Sequence, residues 1–189
     1  MRGIVVILLL AFVSACSQLV PEPVAQARAL LIPSDLGYSV NAQQVARFQT
    51  DVQNQQFIFD LKVSSQLIEL IALDGFSTPL FKISFDGQKL LEHTFVPSID
   101  AGMAQFILAD LQLAYWPVKV LNQQLKADGW RVEEFSCEQA VRCRQVYWQE
   151  KPVSQVVFET DDPWKGNVTL INRLANYQID ISTLEVLQQ

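Results

Sequence analysis

The chain of 189 residues contains one histidine and three cysteines. With Cys16 set aside in the N-terminal segment, two cysteines and one histidine remain, short of the roughly four ligands of a structural zinc site, so that class is excluded. The sequence has no G-x-S-x-G elbow, no glycine-rich phosphate loop and no H-E-x-x-H pair. His93 lies in the strand-like stretch "KLLEHTF", alternating with Leu91 and Phe95, where it reads as a half-buried strand residue and not as a base. Carboxylate pairs occur at Glu133-Glu134 and Asp161-Asp162. Neighbours on a strand point to opposite faces, so both pairs read as solvated surface groups. The chain is therefore expected to be no enzyme, with no cofactor and no metal. Two acids distant in sequence, as a glycosidase uses, are the alternative that spacing leaves open. Basic charge is also scarce, 14 Lys and Arg against 20 Asp and Glu for a net charge of −6. That balance argues against nucleic acid and against electrostatic adhesion to anionic lipid. There is no internal repeat and no low-complexity tract.

The long apolar run stands at the start. "MRGIVVILLLAFVSAC" carries a basic residue at Arg2, an apolar run from Ile4 to Val13 and small residues before Cys16, the layout of a secretory signal. The run is too short to span a bilayer comfortably. "VSAC" fits the bacterial lipoprotein pattern, in which cleavage before the cysteine is followed by its lipidation. Residues 1–15 are thus expected to be removed and Cys16 to carry the lipid, with an ordinary signal and a chance cysteine as the alternative. By the sorting rule of enterobacterial lipoproteins, Ser17 directs such a protein to the outer membrane, lipid-anchored and facing the periplasm. A triacylated terminus exceeds the two acyl signals needed for stable anchoring. Residues 16–36, with Pro21, Pro23 and Pro33, read as the lipidated N-terminus and a tether, ending in a docking segment around Leu30 to Ile32.

Residues 37–189 read as a single domain. Cys137 and Cys143 are placed to close a short loop between two strands in an oxidising periplasm, worth about 2–3 kcal/mol if unstrained; a reduced pair is the alternative. Apolar and polar residues alternate through "FIFDLKV", "QLIELIAL", "LFKISF", "QKLLEHTF", "WRVEEFS", "RQVYWQ", "SQVVFET", "NVTLINR" and "YQIDISTLEV", the mark of half-buried strands. Two-residue turns are expected at Ser64-Ser65 and Asp86-Gly87, and further turns at Asp162-Pro163 and Lys165-Gly166. With "QQVARFQTDV", which fits strand or helix, there are nine or ten strands in an antiparallel meander. A sheet this long must curl.

An insert at about residues 100–128 breaks the pattern. A helix over 101–115, capped by Asp100 or Ser98, a corner at Pro117 and a helix over 118–127 ending near Gly129 are expected. Met103, Phe106, Ile107, Leu111 and Ala114 make a broad apolar face, and the other sides carry little more than Gln105 and Gln112, so the first helix should be buried on several sides. The second puts Val118, Leu121 and Leu125 on one stripe. The pair is expected to cap the open mouth of the curled sheet. Asp110 falls among apolar positions and needs a partner, either as a plain structural hydrogen bond or as a latch that releases the lid when cargo enters.

The stretches "LADLQLAYWP", "DGQKLLEHTFVP" and "NVTLINRLANYQIDIST" resemble an uncharacterised family of Gram-negative lipoproteins often encoded with aryl polyene biosynthesis. The order of elements is similar to that of the outer-membrane lipoprotein receptor LolB and the periplasmic carrier LolA. The resemblance implies a mainly β (α+β) fold, an incomplete antiparallel barrel with a helical lid over an apolar cavity. Phe57, Phe59, Phe81, Phe85, Phe106, Ile107, Leu111, Trp116 and Leu121 would line that cavity or its lid. It further implies a role for Phe76, in "LDGFSTPLF", as the exposed apolar residue of a membrane-facing loop; packing in the core is the alternative. The implied function is binding the acyl or polyene chains of a lipid or lipoprotein cargo and assisting its transfer to the outer membrane, with a periplasmic carrier protein as a possible partner. The competing reading is a structural or interaction lipoprotein with a filled core.

Overall fold

The structure, a computed structural model, describes residues 28–96, 102–138 and 140–188. The signal segment, Cys16, Ser98 and Asp100 lie outside the described residues. Ten strands form one antiparallel sheet: β1 (Val40–Gln49), β2 (Asn54–Val63), β3 (Ile68–Leu73), β4 (Pro79–Phe85), β5 (Leu90–Thr94), β6 (Trp130–Cys137), β7 (Ala140–Trp148), β8 (Lys151–Phe158), β9 (Asn167–Asn172) and β10 (Tyr177–Gln188). Two helices, α1 (Ala104–Tyr115) and α2 (Val118–Leu125), follow β5. The expected curled, unclosed sheet with a helical pair is what the chain forms, and the ambiguous segment before Phe57 is strand β1.

The strand order, β5-β4-β3-β2-β1-β10-β9-β8-β7-β6, departs from a single meander. Two five-stranded meanders are joined where the first strand pairs with the last, Val40 opposite Gln188 through Gln49 opposite Gln178. The free edges therefore fall in the middle of the chain, and the helical segment runs from one edge to the other. A register shift between Gln43 and Gln44 marks a bulge on this central seam, and bulges increase local twist and help a sheet bend.

Alternation sends one set of side chains inward. Leu61, Val63, Ile68, Leu70, Phe81, Ile83 and Phe85 are buried on β2, β3 and β4, and Val156, Phe158, Val168, Leu170 and Ile181 on β8, β9 and β10. Helix α1 lies in this concavity, with Leu108, Leu111, Leu113, Ala114 and Trp116 in the same core. The helical pair covers the open concave face as expected, and α1, apolar nearly all round, is satisfied there because it is surrounded.

Local chemistry sets the boundaries. The first helix starts at Ala104, after Met103 and without a side-chain cap. The second ends in a short 3-10 turn at Gly129, which has φ 79°. The two turns expected to hold two residues hold four. At Ser64–Leu67 the Ser64 hydroxyl accepts from the backbone of Gln66 and Leu67. At Asp86–Lys89 the Asp86 carboxylate accepts from the amides of Gln88 and Lys89. Side-chain acceptors of this kind stabilise longer turns without help from a type I′ pair. The edge of β6 is blocked by Asn122 of α2, whose side-chain amide bonds both the N–H and the carbonyl of Val132 at 2.8 Å. It occupies the place where a foreign strand would add.

Candidate functional site

The site is the contact between α1 and the concave face, and its two flanks differ in chemistry. From Phe57 on β2, and on β3 and β4, the inward side chains are apolar: Phe57 and Phe59 are half-buried, their rings stacked 6.1 Å apart, and Phe81 and Phe85 are buried. On β7, β8, β9 and β10 the inward positions include Arg144, Ser154, Asn172 and Tyr177, the first three of them buried polar groups.

Arg144 clasps the end of α1. One guanidinium nitrogen donates to the carbonyls of Leu113 (2.7 Å), Ala114 (3.1 Å) and Trp116 (2.9 Å), while Nε donates to Glu134 at 2.8 Å. The last carbonyls of a helix have no partner within it and carry partial negative charge, so a buried cation here satisfies several at once. Burial pulls the Arg144 pKa below the ordinary guanidinium value and Glu134 opposes that pull. Glu134 is thus more than the solvated surface group expected of it. Beside this clasp, Tyr115 stacks on Trp164 with centroids 3.9 Å apart and accepts a hydrogen bond from Gln44 at 2.7 Å.

Asp110, near the middle of α1, has its own partners. Its carboxylate accepts from Arg28 and from the Tyr177 hydroxyl, and the Asn172 amide donates to that hydroxyl at 3.0 Å. Burial, and after it the Asp110 charge, push the Tyr177 pKa well up, which keeps the phenol a donor. Arg28 belongs to a strap, residues 28–32, that crosses α1. The Leu31 N–H donates to the Gln112 side chain at 2.9 Å, the Gln112 amide donates back to the Leu31 carbonyl at 2.7 Å, and Gln105 donates to the Arg28 carbonyl at 2.9 Å. The two glutamines that interrupted the apolar helix are the strap's receptors. Leu31 and Leu36 are in the core, so the packed body begins by Arg28, ahead of the boundary drawn at residue 37.

The predicted lining residues divide. Leu111, Trp116 and Leu121 are buried and Ile107 is partly buried. Phe106, expected inside, is 41 % exposed on the rim where α1 begins. Between α1 and the polar flank the cavity measures about 20 Å³, room for one water, so the concavity is filled by the helix. A depression of about 350 Å³ lies on the outside of β1, β2 and β3, lined mainly by Asn41, Lys62, Ser64 and Glu69, unsuited to acyl chains. Phe76 is 93 % exposed in the β3–β4 turn. The β1–β2 turn on the same rim holds Val52, 88 % exposed, and Phe95 and Met103, also on that rim, are exposed. The strap rises to this rim at Arg28, beside the first turn of α1. Cys137 and Cys143 are joined by a disulfide, with Cα atoms 5.8 Å apart. His93 is exposed on edge strand β5 against Phe95. Among the described residues, no cluster of three metal-binding side chains occurs and no helix is long and apolar enough to cross a membrane.

The docking segment expected around Leu30 to Ile32 is this strap; Arg144 and the central pairing of β1 with β10 were missed in the sequence. Arg144 had a signal: it shares strand parity with inward Val146, and a charge at an inward position needs an internal acceptor.

Fold and site define an unclosed antiparallel sheet wrapped around a strapped helix. The chain belongs to the family described as "Protein of unknown function (DUF3261)", whose model matches residues 41–185. No curated protein matches it. Among solved structures it is similar to a domain from Vibrio parahaemolyticus assigned to an outer membrane lipoprotein-sorting protein, at 8 % identity and TM-score 0.47, covering 80 % of this chain and 85 % of that one. It is similar also to a LolA superfamily protein from Nitrosomonas europaea, at 10 % identity and TM-score 0.39, covering 84 % and 93 %. A DUF1329 family protein from Desulfovibrio piger is a third, at 8 % identity and TM-score 0.37, covering 78 % and 84 %. Likeness this distant carries no statement about ligand or activity.

Proposed function

We propose that this chain is a non-enzymatic envelope lipoprotein, anchored through Cys16 in the outer membrane and facing the periplasm. It takes the acyl or polyene chains of a lipid or lipoprotein onto its concave face and assists their transfer to that membrane. The observation that carries the reading is the position of α1. The helix bridges the two free edges of an unclosed sheet, so it can lift without breaking a single strand pair, and the face it uncovers on β2, β3 and β4 is apolar from Phe57 onward. Each buried methylene of a guest chain contributes about 0.8 kcal/mol, so a long chain offsets re-exposure of the leucines of α1. The exposed rim of Val52, Phe76, Phe95 and Met103 lies where the strap leaves the body, which favours this rim as the membrane-facing side. Asp110 serves as the latch.

One observation favours the competing reading. The interior is filled, with a cavity of about 20 Å³, as an interaction module with a permanent core would have. The chain from Ser17 onward, purified from the periplasm without detergent, decides between them. Native mass spectrometry with lipid extraction, and hydrogen exchange of α1 with and without an added fluorescent fatty acid, are the measurements. A stoichiometric lipid and faster exchange across residues 104–115 on loading support the carrier. An empty protein whose helix ignores acyl probes leaves the interaction module.

A further inference from the structure

The upper polar cluster holds more hydrogen-bond donors than its own carboxylate uses. Asp110 is gripped by Arg28 and Tyr177, yet the Nε of Arg28 and the Oγ of Ser154 are buried with no partner among the described residues. Both line the small cavity against Asp110 and Tyr177, together with the apolar walls of Trp130 and Leu174. Arg28 is 7 % exposed and Ser154 1 %, and the cavity they share has room for a single water or one small polar group. The Arg28 guanidinium lies over the Trp130 ring, 5.2 Å from its centroid; this holds the cation against the sheet by a cation–π contact. Tyr177, Asn172 and Ser154 stand on β10, β9 and β8. Asp110 alone rides on the helix. If α1 lifts, Asp110 leaves the donors of the sheet; the strap must then give up its bonds to Gln105 and Gln112, and Arg28, held by its contact with Trp130, is a buried cation without its counter-ion, which is costly.

We infer that this cluster is a receptor for the anionic headgroup of an acyl lipid, a carboxylate or phosphate on a long chain, and that Asp110 is its internal occupant while α1 is closed. The inference rests on the lipid-binding reading and names its substrate class. An incoming oxyanion replaces Asp110 on Arg28 and Tyr177 and engages the unspent donors as well, while its chain takes the apolar face vacated by the helix. A neutral lipid offers nothing in exchange for Asp110 and leaves α1 shut. The chain as a whole is acidic, −6, and repels anions, so a preference for them has to arise locally.

The test compares oleate with oleyl alcohol, the same chain with and without charge, on the chain from Ser17 onward, which contains the whole described body. Oleate is expected to bind at least about tenfold tighter, a factor worth 1.4 kcal/mol. Arg28→Gln abolishes the difference, and Asp110→Asn tightens oleate several-fold by removing the competing carboxylate. Lysophosphatidic acid of the same chain length tells a phosphate source from a carboxylate source, and a preference for either supports the site. If Arg28→Gln does not fold, Tyr177→Phe is the second variant and lowers the preference several-fold. Equal binding of oleate and oleyl alcohol, or a preference unmoved by Arg28→Gln and Tyr177→Phe, overturns the headgroup site and leaves lipid binding standing. Failure of both ligands to bind sinks the lipid reading along with it.

Discussion

The two flanks of α1 hold the same helix by different physics. On β2, β3 and β4 the helix meets non-directional apolar contact, which any hydrocarbon can replace. On β7 to β10 it meets Arg144, Asn172 and Tyr177, whose hydrogen bonds and charge demand particular partners in particular places. A helix fixed equally on both sides would be a core element and nothing more. One fixed by clasps on one side and by exchangeable contact on the other is positioned uniquely when closed, yet has a face that a guest chain can take over.

The comparison is broken most severely at Arg144. Arg144→Met keeps the volume and removes the donor, leaving the carbonyls of Leu113, Ala114 and Trp116 buried and Glu134 with only its longer pair to Arg142 at 3.4 Å. A loss of about 3–5 kcal/mol in urea unfolding is expected, with hydrogen exchange rising first at the end of α1. Asp110→Asn comes next. It weakens the bonds from Arg28 and Tyr177 and costs about 2 kcal/mol, the scale of hydrogen bonds to a charged group, with exchange rising across the strap and the first turns of α1. On the apolar flank, Ile83→Val removes one methylene from a fully buried site and costs about 1 kcal/mol. Equal losses for Arg144→Met and Ile83→Val would erase the distinction between the flanks.

The apolar flank was legible in the sequence and the polar flank was not, for a reason visible in individual residues. Phe81, Ile83 and Phe85 declare their face through period-two alternation, a local pattern. The bonds of Arg144 to α1 cross about thirty residues of chain, and those of Arg28 to Asp110 cross 82; no window of sequence contains both partners. Asp110 announced that it needed a partner without saying which. Gln105 and Gln112 were visible as interruptions of an apolar helix, but only the strap lying on them gives them a role. The pairing of β1 with β10 has no local signal either, since "QQVARFQTDV" alternates as imperfectly as an amphipathic helix does. The helical insert, its Pro117 corner and its end at Gly129 were readable because each is fixed by backbone chemistry within a few residues.

The smallest expected effects come from three aspartates that respond to pH in opposite senses. On the apolar flank, Asp74 is held below the usual carboxylate range chiefly by the amide of Thr78, with that of Phe76 also bonded, and Asp86 by those of Lys89 and Gln88. A carboxyl whose folded pKa is depressed contributes stability that is present above its unfolded value, about 3.9, and lost as pH falls through the folded value. Asp35, in the 3-10 turn Pro33–Leu36 below the strap, has the opposite sign. Burial raises its pKa, and its Oδ2 has no partner among the described residues. Its contribution is full below the unfolded value and is lost as pH rises through the raised folded one. Asp74→Asn with Asp86→Asn is expected to flatten the acid limb of a stability-against-pH curve below about pH 4. Asp35→Asn is expected to lift the neutral plateau slightly and leave the acid limb in place. An Asp35→Asn variant that loses stability at neutral pH would show that this carboxylate is paired, and the strap would then be anchored by charge at its lower end as it is by Arg28 at its upper one.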